Sequence, residues 1–190
     1  MGYVKKEIKR LSKEAGSKAK AKSDAEQWFE DGRNNRAVKE VAKSRGNFSI
    51  GKIYSFEYTP ITESLPWYDK HPVVLALNSP NKNDLGINLN LLPIKFKEGL
   101  LDMVHSALVF APSGNALRES SLRITYDGMK LFLERYGFGF AVRQYIPGRK
   151  RNQTVVSYKS WPQIALCDFA SLNGASYADI VRLHSQYIRK

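Results

Sequence analysis

One block, Gly51 to His105, limits what this chain can fold into more than any other. From Ile53 the sequence alternates: Ile53, Ser55, Glu57 and Thr59 face one way and Tyr54, Phe56 and Tyr58 the other, as in a half-buried strand. Pro60 stops this run. Pro72-Val73-Val74-Leu75-Ala76-Leu77 is short and continuously apolar, the pattern of a strand buried on both faces. Asn78 through Asp84 concentrates turn residues. Leu85, Ile87, Leu89 and Leu91 then share one face of a third strand, which Pro93 ends. Phe96, Leu100, Leu101, Val104 and Leu108 follow at helical spacing and predict a closing helix.

Tyr58, Pro60, Leu65, Pro66, Tyr68, Asp69 and Pro72, followed by Gly86, Ile87, Asn88, Leu89, Leu92 and Pro93, carry a resemblance. The pattern is similar to a segment of small virion proteins of large tailed bacteriophages, the T-even-type and crAss-like phages. Those proteins are described as DNA end protectors, head-completion proteins or neck-tail structural proteins. The resemblance covers about a third of the chain, and the basic residue that leads the helix in that family falls here to Lys95 or Lys97. It implies a structural part of the virion, assembled in the host cytoplasm. The partners it implies are portal, neck or tail subunits in a ring assembly, together with double-stranded DNA.

A chain of 190 residues suits one domain, and 43% hydrophobic content is enough for a real core. No run approaches the roughly 18 apolar residues of a membrane span, and no secretory signal precedes the basic start, so no membrane partner is expected. Cys167 is the only cysteine, which rules out an intramolecular disulfide. Its neighbours Ile164, Ala165, Leu166 and Phe169 make it a buried small hydrophobe rather than a nucleophile. The net charge of +12 is placed at the two ends. Residues 1–46 hold thirteen Lys or Arg against seven Asp or Glu, residues 143–190 eight against two, and the middle nine of each. A neutral body with two basic ends fits contact with a polyanion, most plainly nucleic acid.

The expected organisation has four parts. Residues 1–25, rich in Lys, Ala and Ser with Ile8 and Leu11 as their apolar anchors, read as a flexible basic arm. Residues 26–46 form a helical lead-in, with Ser23 and Glu26 as a capping box and a break near Asp31-Gly32. Residues 47–110 are a barrel-like block with its closing helix. Residues 111–190 pack on it as a helix ending at Gly137, a β-hairpin around the basic turn Pro147–Asn152, and a final helix over Tyr177 to Ile188. The fold class is therefore α+β: a small SH3-like antiparallel β-barrel or bent sheet flanked by helices, with a basic N-terminal arm.

Chemistry is sparse. His71, His105 and His184 are scattered and fit no metal spacing; His105 reads as a surface or core-edge residue. There is no GxxxxGK[ST] phosphate loop. Glu57, Glu63, Asp69 and Asp84 are the carboxylates a metal-dependent nuclease would need, but no lysine accompanies Glu57 in sequence. Neither a cofactor nor catalysis is expected. Candidate phosphate contacts are Arg143, Arg149, Lys150 and Arg151 at the hairpin, and Lys5, Lys6, Lys9 and Arg10 on the arm. Trp67 and Tyr68, rigid beside Pro66, are candidate protein-interaction residues. The competing assignment is a free nucleic-acid-binding module or a toxin-like ribonuclease on an SH3-like barrel, since fold alone does not decide function.

Overall fold

The computed structural model describes residues 2–38, 48–59, 70–77, 84–109, 126–170, 172 and 176–188. The runs of this block become strands: β1 (Ile53–Tyr58), β2 (Val73–Leu77) and β3 (Asp84–Asn88), the last shorter than expected because Leu89–Leu91 forms a 3-10 turn capped by the Asn88 side chain. Later in the chain come β4 (Val142–Tyr145) and β5 (Lys150–Val156). All five form one antiparallel sheet in the order β4-β3-β2-β1-β5. Among the described residues six α-helices surround it: α1 (Tyr3–Glu14), α2 (Lys18–Val38), α3 (Ile94–Val109), α4 (Tyr126–Arg135), α5 (Trp161–Leu166) and α6 (Tyr177–Ile188). The fold is α+β.

Both faces of the sheet are covered. Ile53, Val73, Leu75, Leu77, Leu85 and Ile87 face the main core, shared with Val4, Ile8, Phe29, Leu101, Leu133 and Trp161 from the helices. Tyr54, Phe56, Val74, Ala76 and Tyr145 face a smaller, aromatic core with Phe48 and Tyr58 packed against it. Thus β2 is buried throughout, as its unbroken apolar run requires. Gly86 in β3 lies opposite Ala76, and a Cβ there would strike Val74 and come within 2.7 Å of the Leu75 carbonyl. Only glycine permits that approach.

The expected hairpin at Pro147–Asn152 does not form. β4 pairs with β3 and β5 with β1, so the two lie on opposite edges of the sheet. A two-stranded hairpin needs a tight turn between its strands. Here Pro147 instead opens a 3-10 turn, Pro147–Arg149, that carries the chain from one edge to the other. The short link fits because the sheet curls strongly: Tyr145 on the β4 edge meets Phe56 and Tyr58 of β1 with ring centroids 5.2 and 5.3 Å apart. The Ile146 amide donates to the Tyr58 hydroxyl at 3.3 Å, and the Thr59 amide to the Arg149 carbonyl at 3.1 Å. Within β5, Asn152 has a φ of 52°, and the β1–β5 register shifts between Ser55 and Glu57. This is a β-bulge, with asparagine where the left-handed conformation is needed.

The N-terminus also departs from expectation. Residues 3–14 and 18–38 are helices packed on the body, not a flexible arm. Val4 and Ile8 are buried one turn apart, with Leu11 half-buried after them. Burial of each aliphatic side chain contributes about 1.5–3 kcal/mol. The small residues Ala21 and Ala25 let α2 approach the core closely, and Phe29 meets Phe169 edge-on at 5.0 Å. Asp102 of α3 completes the attachment: its carboxylate accepts from the amides of Val4 at 2.6 Å and Lys5 at 3.3 Å, capping α1 from 98 residues away. The Ser23–Glu26 capping box is absent. α2 begins earlier, with Ser17 accepting from the Lys20 amide at 3.1 Å, and runs through Asp31-Gly32 without a break. Glu26 accepts instead from the Asp168 amide at 3.0 Å.

α4 ends as expected at Gly137, whose φ of 76° allows the Phe138 amide to reach back to Leu133 at 2.7 Å. Ser176 and Asp179 cap α6 reciprocally.

Candidate nucleic-acid interface

With Val4 and Ile8 turned inward, helical periodicity places Lys5, Lys6, Lys9, Arg10 and Lys13 on the outer face of α1. All five are exposed. Arg10 is held by Glu7 at 2.8 Å and Glu14 at 2.6 Å, and these bonds raise the pKa of its guanidinium further. Lys5, Lys6, Lys9 and Lys13 make no ion pair among the described residues. The lysines of α2 differ: Lys18 meets Glu98 at 2.8 Å, Lys20 meets Asp24 at 2.7 Å, and Lys22 meets Asp168 at 3.0 Å. Among the described side chains at this end, uncompensated charge is therefore concentrated on α1. From Lys5 to Lys13 the stripe is about 12 Å long, a distance over which duplex DNA presents roughly seven phosphates.

The C-terminal candidates do not gather at one point. Arg143 lies on β4 and Arg151 on β5, at opposite edges of the sheet. Arg151 is exposed and stands across from Glu57. Arg149 is exposed and donates to the Thr59 carbonyl at 3.3 Å. Lys150 turns inward instead: its side chain is 4% exposed and paired with Asp84, itself 3% exposed, and the ammonium sits 4.3 Å from the centre of the Phe48 ring. Asp84 also accepts from the Phe48 amide at 2.7 Å. The charge of Lys150 is spent inside the small aromatic core. Trp67 and Tyr68 lie outside the described residues, as do Glu63 and Asp69.

β5 leads from Arg151 towards a feature that sequence reading missed. Its continuation, Tyr158, is 54% exposed and tilts towards two rings, Tyr3 at 6.5 Å and His105 at 6.2 Å. Tyr3 and His105 stack with centroids 4.4 Å apart and planes 17° apart, and buried Trp161 meets His105 edge-on at 6.3 Å. Partial burial lowers the pKa of His105, favouring its neutral form, and raises that of Tyr3. The rings come from α1, α3 and the turn after β5, so only their separate sequence positions were visible beforehand. His105 is half-buried, at the edge of the core as expected.

Two buried groups serve the scaffold. Lys97 of α3 is wholly enclosed, donates to the Cys167 carbonyl at the end of α5, and lies 4.5 Å from the Phe169 ring. Desolvation lowers its pKa to about 8. Cys167 is buried as expected, and burial pushes its thiol up to about 12. No group of three or more His, Cys, Asp or Glu able to hold a metal occurs among the described residues. Among the same residues, no helix is long and apolar enough to cross a membrane.

The family model described as phage T4 terminal DNA protecting protein matches residues 2–179, and the chain belongs to that family. No curated protein and no solved structure matches it.

Proposed function

We propose that this member of the terminal DNA protecting family is a non-enzymatic structural protein of a tailed-phage virion, one that binds the ends of packaged DNA and shields them by occupying them. The observation that carries the reading is the set of unpaired lysines on α1, Lys5, Lys6, Lys9 and Lys13, in a chain of that family. Such a face releases counterions from phosphates without reading sequence. The mechanism then reduces to shape and charge. Arg149 and Arg151, both exposed, offer further basic residues at the start of β5.

The curled sheet belongs to the same reading. β5 returns to pair with β1 after a 3-10 link from β4, which is the strand order of an SH3-like barrel interrupted between β3 and β4 by the helices α3 and α4. A position at the head-tail junction or tail, in a ring with portal, neck or tail subunits, fits a protein that holds a DNA end, because the end of a packaged molecule lies at the opening it passed through. Heterologous contacts around such an opening close naturally into rings.

The test is binding to linear blunt-ended duplex and to closed circular DNA of equal length, across a salt series, with an exonuclease challenge of the linear form. Preference for ends with protection is the expected result. Binding without protection, or exonuclease activity of the chain itself, would overturn the reading.

A further inference from the structure

Phosphate attraction is uniform along a duplex and cannot tell an end from the middle. An end, besides its terminal phosphate and hydroxyl groups, offers the bare π-face of its last base pair, and a ring laid against that face distinguishes an end from the middle. We infer that the Tyr3–His105–Tyr158 cluster is that surface: the terminal base pair stacks on Tyr158, while Lys6 and Lys159 take the phosphates on either side.

Three observations carry this. Tyr158 is more than half exposed and is the most exposed member of a cluster of four aromatic side chains. The rings beneath it are held in place: Tyr3 is stacked on His105, and His105 rests against Trp161, 2% exposed. A platform fixed before binding loses little entropy when it is used. The cluster is also bordered by cations. Lys6 and Arg10 follow Tyr3 by one and two turns along the same flank of α1, and exposed Lys159 is the next residue after Tyr158. The unpaired lysine stripe thus begins where the rings are.

The inference rests on the DNA-binding reading, and the experiment separates the two. The full chain is titrated with blunt linear duplex and with closed circular DNA, and with duplexes carrying 2-aminopurine at the terminal or at a central position. For the wild type, the linear form binds more tightly, and terminal but not central 2-aminopurine is quenched. Tyr158→Ala is expected to reduce end preference about tenfold and abolish the quenching, while affinity for circles and its salt slope stay unchanged. Tyr158→Phe, which keeps the ring, retains both. Full end preference in Tyr158→Ala would overturn the inference and leave the DNA-binding reading standing. Equal wild-type binding to ends and circles, or binding to neither DNA, would overturn the inference together with the end-protecting reading.

Discussion

The two ends of the chain carry the same formal surplus of charge and use it in opposite ways. On α1 the lysines stand on the outer face of a helix whose inner face is anchored by Val4 and Ile8, so the cations remain available. At the β4–β5 end the basic residues are distributed over both edges of a curled sheet, and Lys150 is consumed by Asp84 inside an aromatic core. Equal charge therefore does not mean equal reach towards a polyanion. What separates the ends is periodicity: a helix sorts residues three and four apart onto one face, whereas a bulged strand and a 3-10 turn scatter neighbours.

Substitutions can break that contrast, and the largest effect is expected at Lys150. Lys150→Ala leaves the Asp84 carboxylate buried without its cation and should cost about 3–5 kcal/mol of folding stability in urea denaturation. A loss no larger than that of an exposed lysine would mean that Lys150 is solvated like those on α1. Next comes Lys97, the other buried cation. Its folded pKa of about 8 lies below the 10.5 of an unfolded lysine. The unfolded chain therefore binds more protons between these values, and stability rises with pH through that window. The difference in unfolding free energy between wild type and Lys97→Met should move in favour of the wild type by about 3 kcal/mol from pH 7 to pH 10.5. A flat difference would show that the ammonium is not desolvated.

Asp102→Ala tests how firmly the available cations are mounted. Loss of the cap on the Val4 and Lys5 amides should cost about 1–2 kcal/mol and speed hydrogen exchange at those two amides before the rest of the chain. Uniform exchange would mean that α1 is held by its apolar face alone. The smallest structural effect is expected for Lys6→Ala, Lys9→Ala and Lys13→Ala together, which should leave Tm nearly unchanged. The slope of log affinity for duplex DNA against log salt should fall by about 0.9 for each lysine that touches a phosphate. An unchanged slope would move the interface elsewhere, to Arg149 and Arg151 first.

β1, β2, the start of β3, α3, the Gly137 stop and α6 were legible because each is written in local periodicity or in a terminator; the end of β3 was not, since Leu89 and Leu91 keep the alternation of a strand while forming a 3-10 turn. The stretch of α2 from residue 26 was expected as a helical lead-in, but α1 and the start of α2 were not. Val4, Ile8, Ala21 and Ala25 make too thin an apolar stripe to suggest ordered structure, and what orders them is the body they pack on and a carboxylate on α3. The strand pairing of β5 was misjudged because adjacency in sequence favours a hairpin, and the curl that brings β1 within reach is set by tertiary packing around Phe48, Tyr58 and Tyr145. At the interface, the lysines of α1 could be named from sequence. The commitment of Lys150 to Asp84 and the meeting of Tyr3, His105 and Tyr158 depend on contacts across 66 to 155 positions, which no local pattern encodes.

The left-handed Asn152 has a consequence for crowding. A straight outer strand with free amides and carbonyls is a template on which a second copy can extend the sheet, and a third on that. The kink at Asn152 breaks the rhythm of those groups midway along β5. That edge is thereby a poor template for a second copy to extend the sheet. Any neighbour must recognise this rim by its side chains, and so can let go of it again.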